Sequence, residues 1–122
     1  MKLSVVASDP GLTRIACADD ITVFDFTSGN PLKTLLEPEA FGGTVLLDLA
    51  SSAYIDSSGV GWLMQCHSCC QKAGGRLIVH SIAPMVNHCF RVLGMYDVLQ
   101  IAANEEAALK IAASHGDAHA AR

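Results

Sequence analysis

Four consecutive residues, Asp56, Ser57, Ser58 and Gly59, place a carboxylate and two hydroxyls at the predicted start of a helix. A helix start gathers unpaired backbone N–H groups and the positive end of the helix dipole, so a phosphate attached to a serine there is well accommodated. The Asp56 carboxylate opposes the added charge of about -1.5 to -2. Phosphorylation here is therefore expected to change the local potential sharply without unfolding the helix, which is how a binding surface can be switched.

The same run has two other interpretations. Asp and Ser are preferred capping residues whatever a protein does, so the run can be an ordinary helix cap. A serine hydrolase needs the pattern G-x-S-x-G, whereas Ile55 and Asp56 precede Ser57. A small enzyme built around Ser57 or the cysteines stays open as a class. Because the sequence shows no convergent acid, base and oxyanion set, we expect no enzymatic activity.

A second group, Cys66, His67, Cys69 and Cys70, has the residue types of a zinc site. A structural zinc site normally brings two separated ligand pairs together at a turn, whereas these residues follow one another along one predicted helix. The total of five cysteines is odd, which fits reduced thiols in a cytosol better than a disulfide framework. We expect small buried side chains here, with no metal, no cofactor and no structural disulfide.

The composition excludes several classes of function. The chain has 122 residues, 51% of them apolar, and a net charge of -4, whereas a nucleic-acid binder needs an excess of positive charge. Apolar runs are broken by charge, as Asp48 breaks Val45–Leu49, well short of the roughly 20 residues of a membrane span. We expect a cytoplasmic protein without a membrane segment, one domain over residues 1–113 and a flexible C-terminal tail over residues 114–122.

Short strands alternate with helices, which predicts an α/β domain whose mixed β-sheet is covered by α-helices and is parallel where crossovers join the strands. The segment Thr44–Leu49 is almost continuously apolar, which predicts a central strand. Asn30 before Pro31 predicts a short helix. The other predicted elements are strands at 3–7, 13–18, 76–81 and 98–102, and helices that follow Asp56, start at Pro84 and follow Asn104.

The predicted helix after Asp56 is apolar on two sides. Its stripes are Val60, Leu63, Met64, His67 and Cys70 on one side, and Trp62, Cys66 and Cys69 on the other. A small domain has little to cover both stripes, so we expect Trp62 to be at least partly exposed in a surface that binds a partner or a second copy of this chain. The alternative is that a loop or the tail covers Trp62. The residues assigned to this partner surface are Asp56, Ser58, Gly59, Gly61 and Trp62.

These segments together resemble the STAS family, the domain of bacterial anti-sigma factor antagonists. The resemblance covers roughly residues 3–112. The sequence departs from the family pattern over Ala18–Ile21, where many members carry Gly, Glu, Leu and Asp. The resemblance is carried by the strand ending Leu47-Asp48-Leu49, by Asp56-Ser57-Ser58-Gly59 followed by Val60-Gly61, by the Gly74-Gly75 turn before a strand, and by the helix ending Val92-Leu93-Gly94.

The resemblance implies a STAS-like fold and a partner-switching role. In such domains the serine directly after the Asp is phosphorylated by a partner kinase, which maps onto Ser57, and Ser58 fills the next Ser or Thr position. The unphosphorylated domain binds an anti-sigma factor that is also a serine kinase, the phosphorylated domain lets go, and a PP2C-type serine phosphatase resets it. The family also allows a homodimer, or a scaffold subunit of a larger signalling complex.

Overall fold

The computed structural model describes residues 1–120, with side chains through residue 113. Five strands form one sheet in the order β1-β2-β3-β4-β5, so β3 is central as predicted. The β1-β2 pair is an antiparallel hairpin and the other pairs are parallel, which confirms the predicted mixed sheet. The strands are β1 (Lys2–Asp9), β2 (Leu12–Ala18), β3 (Thr44–Ser51), β4 (Arg76–His80) and β5 (Gln100–Ala102).

Helices cover both faces of this sheet. One face packs against the first three helices in the larger core, which includes Leu47 of β3 and Phe90 of the third helix. The other face packs against the fourth helix around Leu46, Ile78 and Ala108. This alternation along β3 is why that strand is apolar at successive positions. The helices are α1 (Pro31–Leu35), α2 (Ser57–Lys72), α3 (Pro84–Val92) and α4 (Glu105–Ala120), and 3-10 turns span Val23–Phe26, Pro38–Gly42 and Met95–Asp97.

The predicted helix boundaries are confirmed by side-chain caps. Asn30 Oδ1 accepts a hydrogen bond from the Leu32 amide at 3.0 Å, and Asn104 Oδ1 accepts one from the Ala107 amide at 2.8 Å. Gly94, after α3, adopts a left-handed φ of 68°, which glycine tolerates without strain. These interactions join residues only two or three positions apart, so the local sequence is enough to predict them.

Two features differ from the prediction. The last strand begins at Gln100 rather than at Val98, because the 3-10 turn Met95–Asp97 occupies the chain before it. The 3-10 turns Val23–Phe26 and Pro38–Gly42 were not predicted at all. The predicted flexible tail, residues 114–122, lies outside the residues whose side chains are described, and it stays a prediction. None of the helices in the described part of the chain combines the length and the apolar character needed to cross a membrane.

Candidate functional site

The Asp56–Gly59 run lies at the start of α2, just after the connection from strand β3. Strand β3 ends at Ser51, and the chain returns through residues 52–56 to start α2 at Ser57. The carboxyl ends of parallel strands are where binding sites of α/β folds commonly form. Ser57 is exposed, whereas Ser58 and Asp56 are half-buried. The structure therefore leaves the Ser57 hydroxyl open to another molecule.

The Asp56 carboxylate holds two elements together. Its Oδ1 accepts a hydrogen bond from the Gly59 amide at 2.9 Å, which caps α2. Its Oδ2 accepts one from the Val23 amide at 2.9 Å, which ties the helix start to the turn that follows β2. The backbone repeats the connection, because the Asp56 amide donates to the Ile21 carbonyl at 3.0 Å. Asp56 is thus a cap, as its residue type indicated, and also a link to a segment far away in the sequence.

The segment tied to Asp56 consists of residues 22–26 and is called here the 22–26 loop. Asp25 Oδ2 accepts a hydrogen bond from the Thr22 amide at 2.7 Å, and Asp25 Oδ1 lies 2.8 Å from the Met1 amino group. Burial opposes ionisation of the Asp25 carboxyl, but these two donors lower its pKa below the usual value. The ring of Phe26 stacks on that of Trp62 with centroids 5.6 Å apart. The Phe26–Trp62 stacking and the Val23–Asp56 hydrogen bond therefore fix this loop against the start of α2, while Asp25 ties it to Met1.

The prediction that Trp62 is exposed is wrong. Its side chain is only 2% exposed, because Phe26 covers the ring and Asn30 Oδ1 accepts a hydrogen bond from Trp62 Nε1 at 2.8 Å. Burial does not follow the two predicted stripes, because Met64, from the other stripe, is 43% exposed. Trp62 is therefore removed from the partner surface. The buried residues of α2 are Gly59, Val60, Trp62, Leu63, Cys66 and Cys70.

The two glycines assigned to the partner surface have different surroundings. Gly59 is buried, and a Cβ at this position would lie 2.5 Å from Ile55 Cγ1 and 2.8 Å from Ile21 Cγ2. Its role in the structure is close packing, so it is unavailable as a partner contact. Gly61 is exposed, and a Cβ there would have no heavy atom within 4 Å. Gly61 stays in the predicted surface because it lies one turn after Ser57 on the same side of α2.

The cysteines of α2 are packing residues. Cys66 and Cys70 are fully buried, and Cys69 is half-buried. Burial raises the pKa of the Cys66 thiol to about 12 and that of Cys70 to about 11, so both stay protonated at neutral pH. All five cysteines are free thiols. Within the described residues, no three His, Cys, Asp or Glu side chains come together in a way that could hold a metal ion.

The charged groups of the site are carboxylates, the helix start and the Met1 amino group that is paired with Asp25. The segments 15–32 and 34–71, which supply the site, contain no lysine or arginine. Asp19 and Asp20 are exposed in the first of these segments. The backbone amides of the first turn of α2 have no hydrogen-bond partner inside the helix. One of them, the Gly59 amide, donates to the side chain of the capping residue Asp56. A phosphate on Ser57 would meet those amides on one side and the Asp56 carboxylate on the other.

The 22–26 loop is the part of the site that sequence reasoning missed. The signal that could have indicated it is the spacing of Thr22 and Asp25, which is that of a capping box. A cavity of about 510 Å³, bordered by Lys33, Phe41, Cys69 and Lys72, lies at the other end of α2 and does not adjoin Ser57. The candidate site is the exposed surface around Ser57.

Fold and site together define a small α/β domain in which a mixed sheet presents an exposed serine at a helix start. The STAS domain family matches residues 22–108, most of the described chain. The chain therefore belongs to the STAS family, as the sequence motifs indicated.

The fold is similar to solved anti-sigma factor antagonists. One is a Thermotoga maritima protein assigned to that class, with a TM-score of 0.71, 13% identity, and coverage of 91% of this chain and 92% of that one. Another is the Bacillus cell-fate determinant SpoIIAA in its phosphorylated form, with a TM-score of 0.63, 17% identity, and coverage of 90% and 99%. SpoIIAA in its unphosphorylated form matches with a TM-score of 0.58 and 14% identity, over 89% of this chain and 96% of that one. At these identities the similarity establishes the fold.

Proposed function

We propose that this chain is a non-enzymatic partner-switching protein. When Ser57 is unphosphorylated, the protein binds an anti-sigma factor that is also a serine kinase, and phosphorylation of Ser57 releases it. A PP2C-type serine phosphatase resets the switch. The observation that carries the proposal is the exposed Ser57 at the start of α2, next to a carboxylate that is already engaged. Family membership and the similarity to SpoIIAA in both phosphorylation states support it.

The physical basis of the switch is the fixed position of Asp56. Its two oxygens accept from the Gly59 and Val23 amides, so the carboxylate cannot turn away from a phosphate on Ser57 without losing those bonds. A bound kinase also brings the nucleotide phosphates to Ser57, so a phosphoserine there meets the negative charge of the nucleotide as well as that of Asp56. Like-charge repulsion and desolvation at such an interface weaken binding by on the order of a few kcal/mol. That loss is enough to reverse occupancy.

The fold itself need not change on phosphorylation. Ser57 is exposed and donates no side-chain hydrogen bond within the described residues. The first-turn amides and the helix dipole favour a phosphate at this position. We therefore expect Ser57→Ala to leave the free energy of unfolding within about 0.5 kcal/mol of wild type.

A labelling experiment tests the proposal. Purified protein is incubated with [γ-³²P]ATP and an extract of the organism that encodes it, and the labelled residue is identified by mass spectrometry. We expect label on Ser57, none in Ser57→Ala, and normal labelling of the control Ser8→Ala, which removes an exposed hydroxyl of β1 outside the proposed partner surface. Label on Ser58 alone, or stoichiometric label in Ser57→Ala, would show that the residue is wrong. Once the kinase is purified, it should bind Ser57→Ala tightly and Ser57→Asp weakly.

A scaffold subunit of a larger signalling complex is the second candidate. The observation that favours it is the similarity to one part of SLC26A9, in which this fold covers 21% of that chain, at a TM-score of 0.64 and 18% identity. This fold therefore also occurs within a larger protein. Sedimentation of the isolated protein separates the candidates, because a scaffold should assemble into large particles and a switch should stay small.

A further inference from the structure

Phe24, in the middle of the 22–26 loop, is the most exposed large apolar side chain among the described residues, at 82%. Its neighbours in the loop are arranged differently: Asp25 and Phe26 are half-buried and point into contacts with Met1 and Trp62. An exposed phenyl ring contributes nothing to the core. Exposed aromatic side chains are instead over-represented where proteins bind one another.

The loop that carries Phe24 is firmly held. The Val23 amide donates to Asp56 Oδ2 at 2.9 Å, Asp25 accepts from the Thr22 amide at 2.7 Å, and Phe26 stacks on the buried Trp62. A ring presented by a fixed backbone loses little conformational entropy on binding. The geometry thus favours Phe24 as an anchor over a side chain on a mobile segment.

Phe24 also lies beside the proposed phosphorylation site. The hydrogen bond from Val23 to Asp56 joins the residue before Phe24 to the residue before Ser57. Any enzyme whose active site reaches the Ser57 hydroxyl must cover the surface next to it, and the 22–26 loop is part of that surface. This adjacency is the reason to consider the kinase as the protein that binds the exposed ring.

We infer that Phe24 is the aromatic anchor by which the serine kinase docks onto this protein beside Ser57. The inference rests on the proposed function and assigns the role that sequence reasoning gave to Trp62. The exposed Asp19 and Asp20, together with the absence of lysine and arginine from segments 15–32 and 34–71, define the chemistry of the kinase surface. It should offer an apolar pocket for the ring, bordered by basic side chains.

The test compares Phe24→Ala with Val92→Ala, which removes another exposed apolar side chain, 69% exposed, on α3. The probe is the kinase activity that labels Ser57 in the extract, with [γ-³²P]ATP at saturation and the concentration of the STAS protein varied. We expect Phe24→Ala to raise KM at least about tenfold with little change in kcat, and Val92→Ala to match wild type. Phe24→Tyr, which keeps the ring, should restore most of the affinity. Circular dichroism melting checks that each variant is folded.

Each other outcome has a defined meaning. If wild type is labelled on Ser57 and Phe24→Ala has an unchanged KM, the anchor is wrong while the proposed function stands. If wild type is not labelled on Ser57, both fail. If Phe24→Ala instead abolishes a concentration-dependent dimer of the isolated protein and leaves KM unchanged, the ring binds a second copy of this chain, which also overturns the kinase assignment.

Discussion

Two glycines in the same helix should respond to alanine with opposite signs. At Gly61 an added Cβ meets no heavy atom within 4 Å, so Gly61→Ala should stabilise α2 by about 0.5–1 kcal/mol through helix propensity. At Gly59 the same Cβ would lie 2.5 Å from Ile55 Cγ1 and 2.8 Å from Ile21 Cγ2, and both isoleucines are buried. Overpacking of this kind costs about 1–3 kcal/mol, which outweighs the propensity gain. Gly59→Ala should therefore destabilise the protein by about 1–2 kcal/mol net.

Urea denaturation followed by the fluorescence of Trp62, the single tryptophan, measures both changes. The two midpoints should move in opposite directions with equal m-values, which would show that the change lies in stability rather than in the denatured state. Thermal melting should show shifts of about 4 °C for each kcal/mol. If Gly59→Ala proves as stable as Gly61→Ala, the close contact between α2 and the Ile21–Ile55 pair is not as described. The same variants report on function, because Gly61 lies in the predicted partner surface whereas Gly59 does not.

Two further predictions concern buried side chains of α2. Trp62→Ala should lower the free energy of unfolding by about 3–5 kcal/mol, since it removes a buried ring stacked on Phe26, whereas Met64→Ala, at a 43% exposed position, should change it by less than about 1 kcal/mol. Burial raises the pKa of Cys66 from 9.0 to about 12 and that of Cys70 to about 11, so unfolding releases thiol protons above pH 9. The contribution of these two thiols to the free energy of unfolding should therefore be fully present below pH 9 and be lost as pH rises toward 11–12. The free energy of unfolding of Cys66→Ala should fall less steeply over the same range. Equal losses of unfolding free energy in Trp62→Ala and Met64→Ala would contradict the first assignment. A free energy of unfolding that falls as steeply with alkaline pH in Cys66→Ala as in wild type would contradict the second.

The proposed switch and the proposed anchor both depend on one carboxylate. Asp56 caps α2 through Gly59 and holds the 22–26 loop through Val23. A phosphate on Ser57 would therefore lie next to the residue that positions Phe24. Under the two proposals, this arrangement would couple a change at the serine to binding at the aromatic ring without unfolding either element.

The sequence by itself determined the order of the elements and the class of the fold. Capping residues such as Asn30, Asp56 and Asn104 act on amides two or three positions away, and the central strand is marked by its own apolar run. Such signals are local, so they can be detected without knowing where the chain folds back. The run from Asp56 to Gly59 likewise indicated a helix start, because Asp and Ser are preferred capping residues in any context.

Only the tertiary structure decided which faces of α2 are covered. Hydrophobic periodicity shows that two stripes are apolar, but it does not show that the 22–26 loop returns to cover Trp62 while Met64 stays exposed. The contacts responsible join residues far apart in sequence: Val23 bonds to Asp56 across 33 positions, and Trp62 bonds to Asn30 across 32. The exposure of Phe24 and the close packing at Gly59 follow from the same long-range contacts, and for that reason no local pattern predicted them.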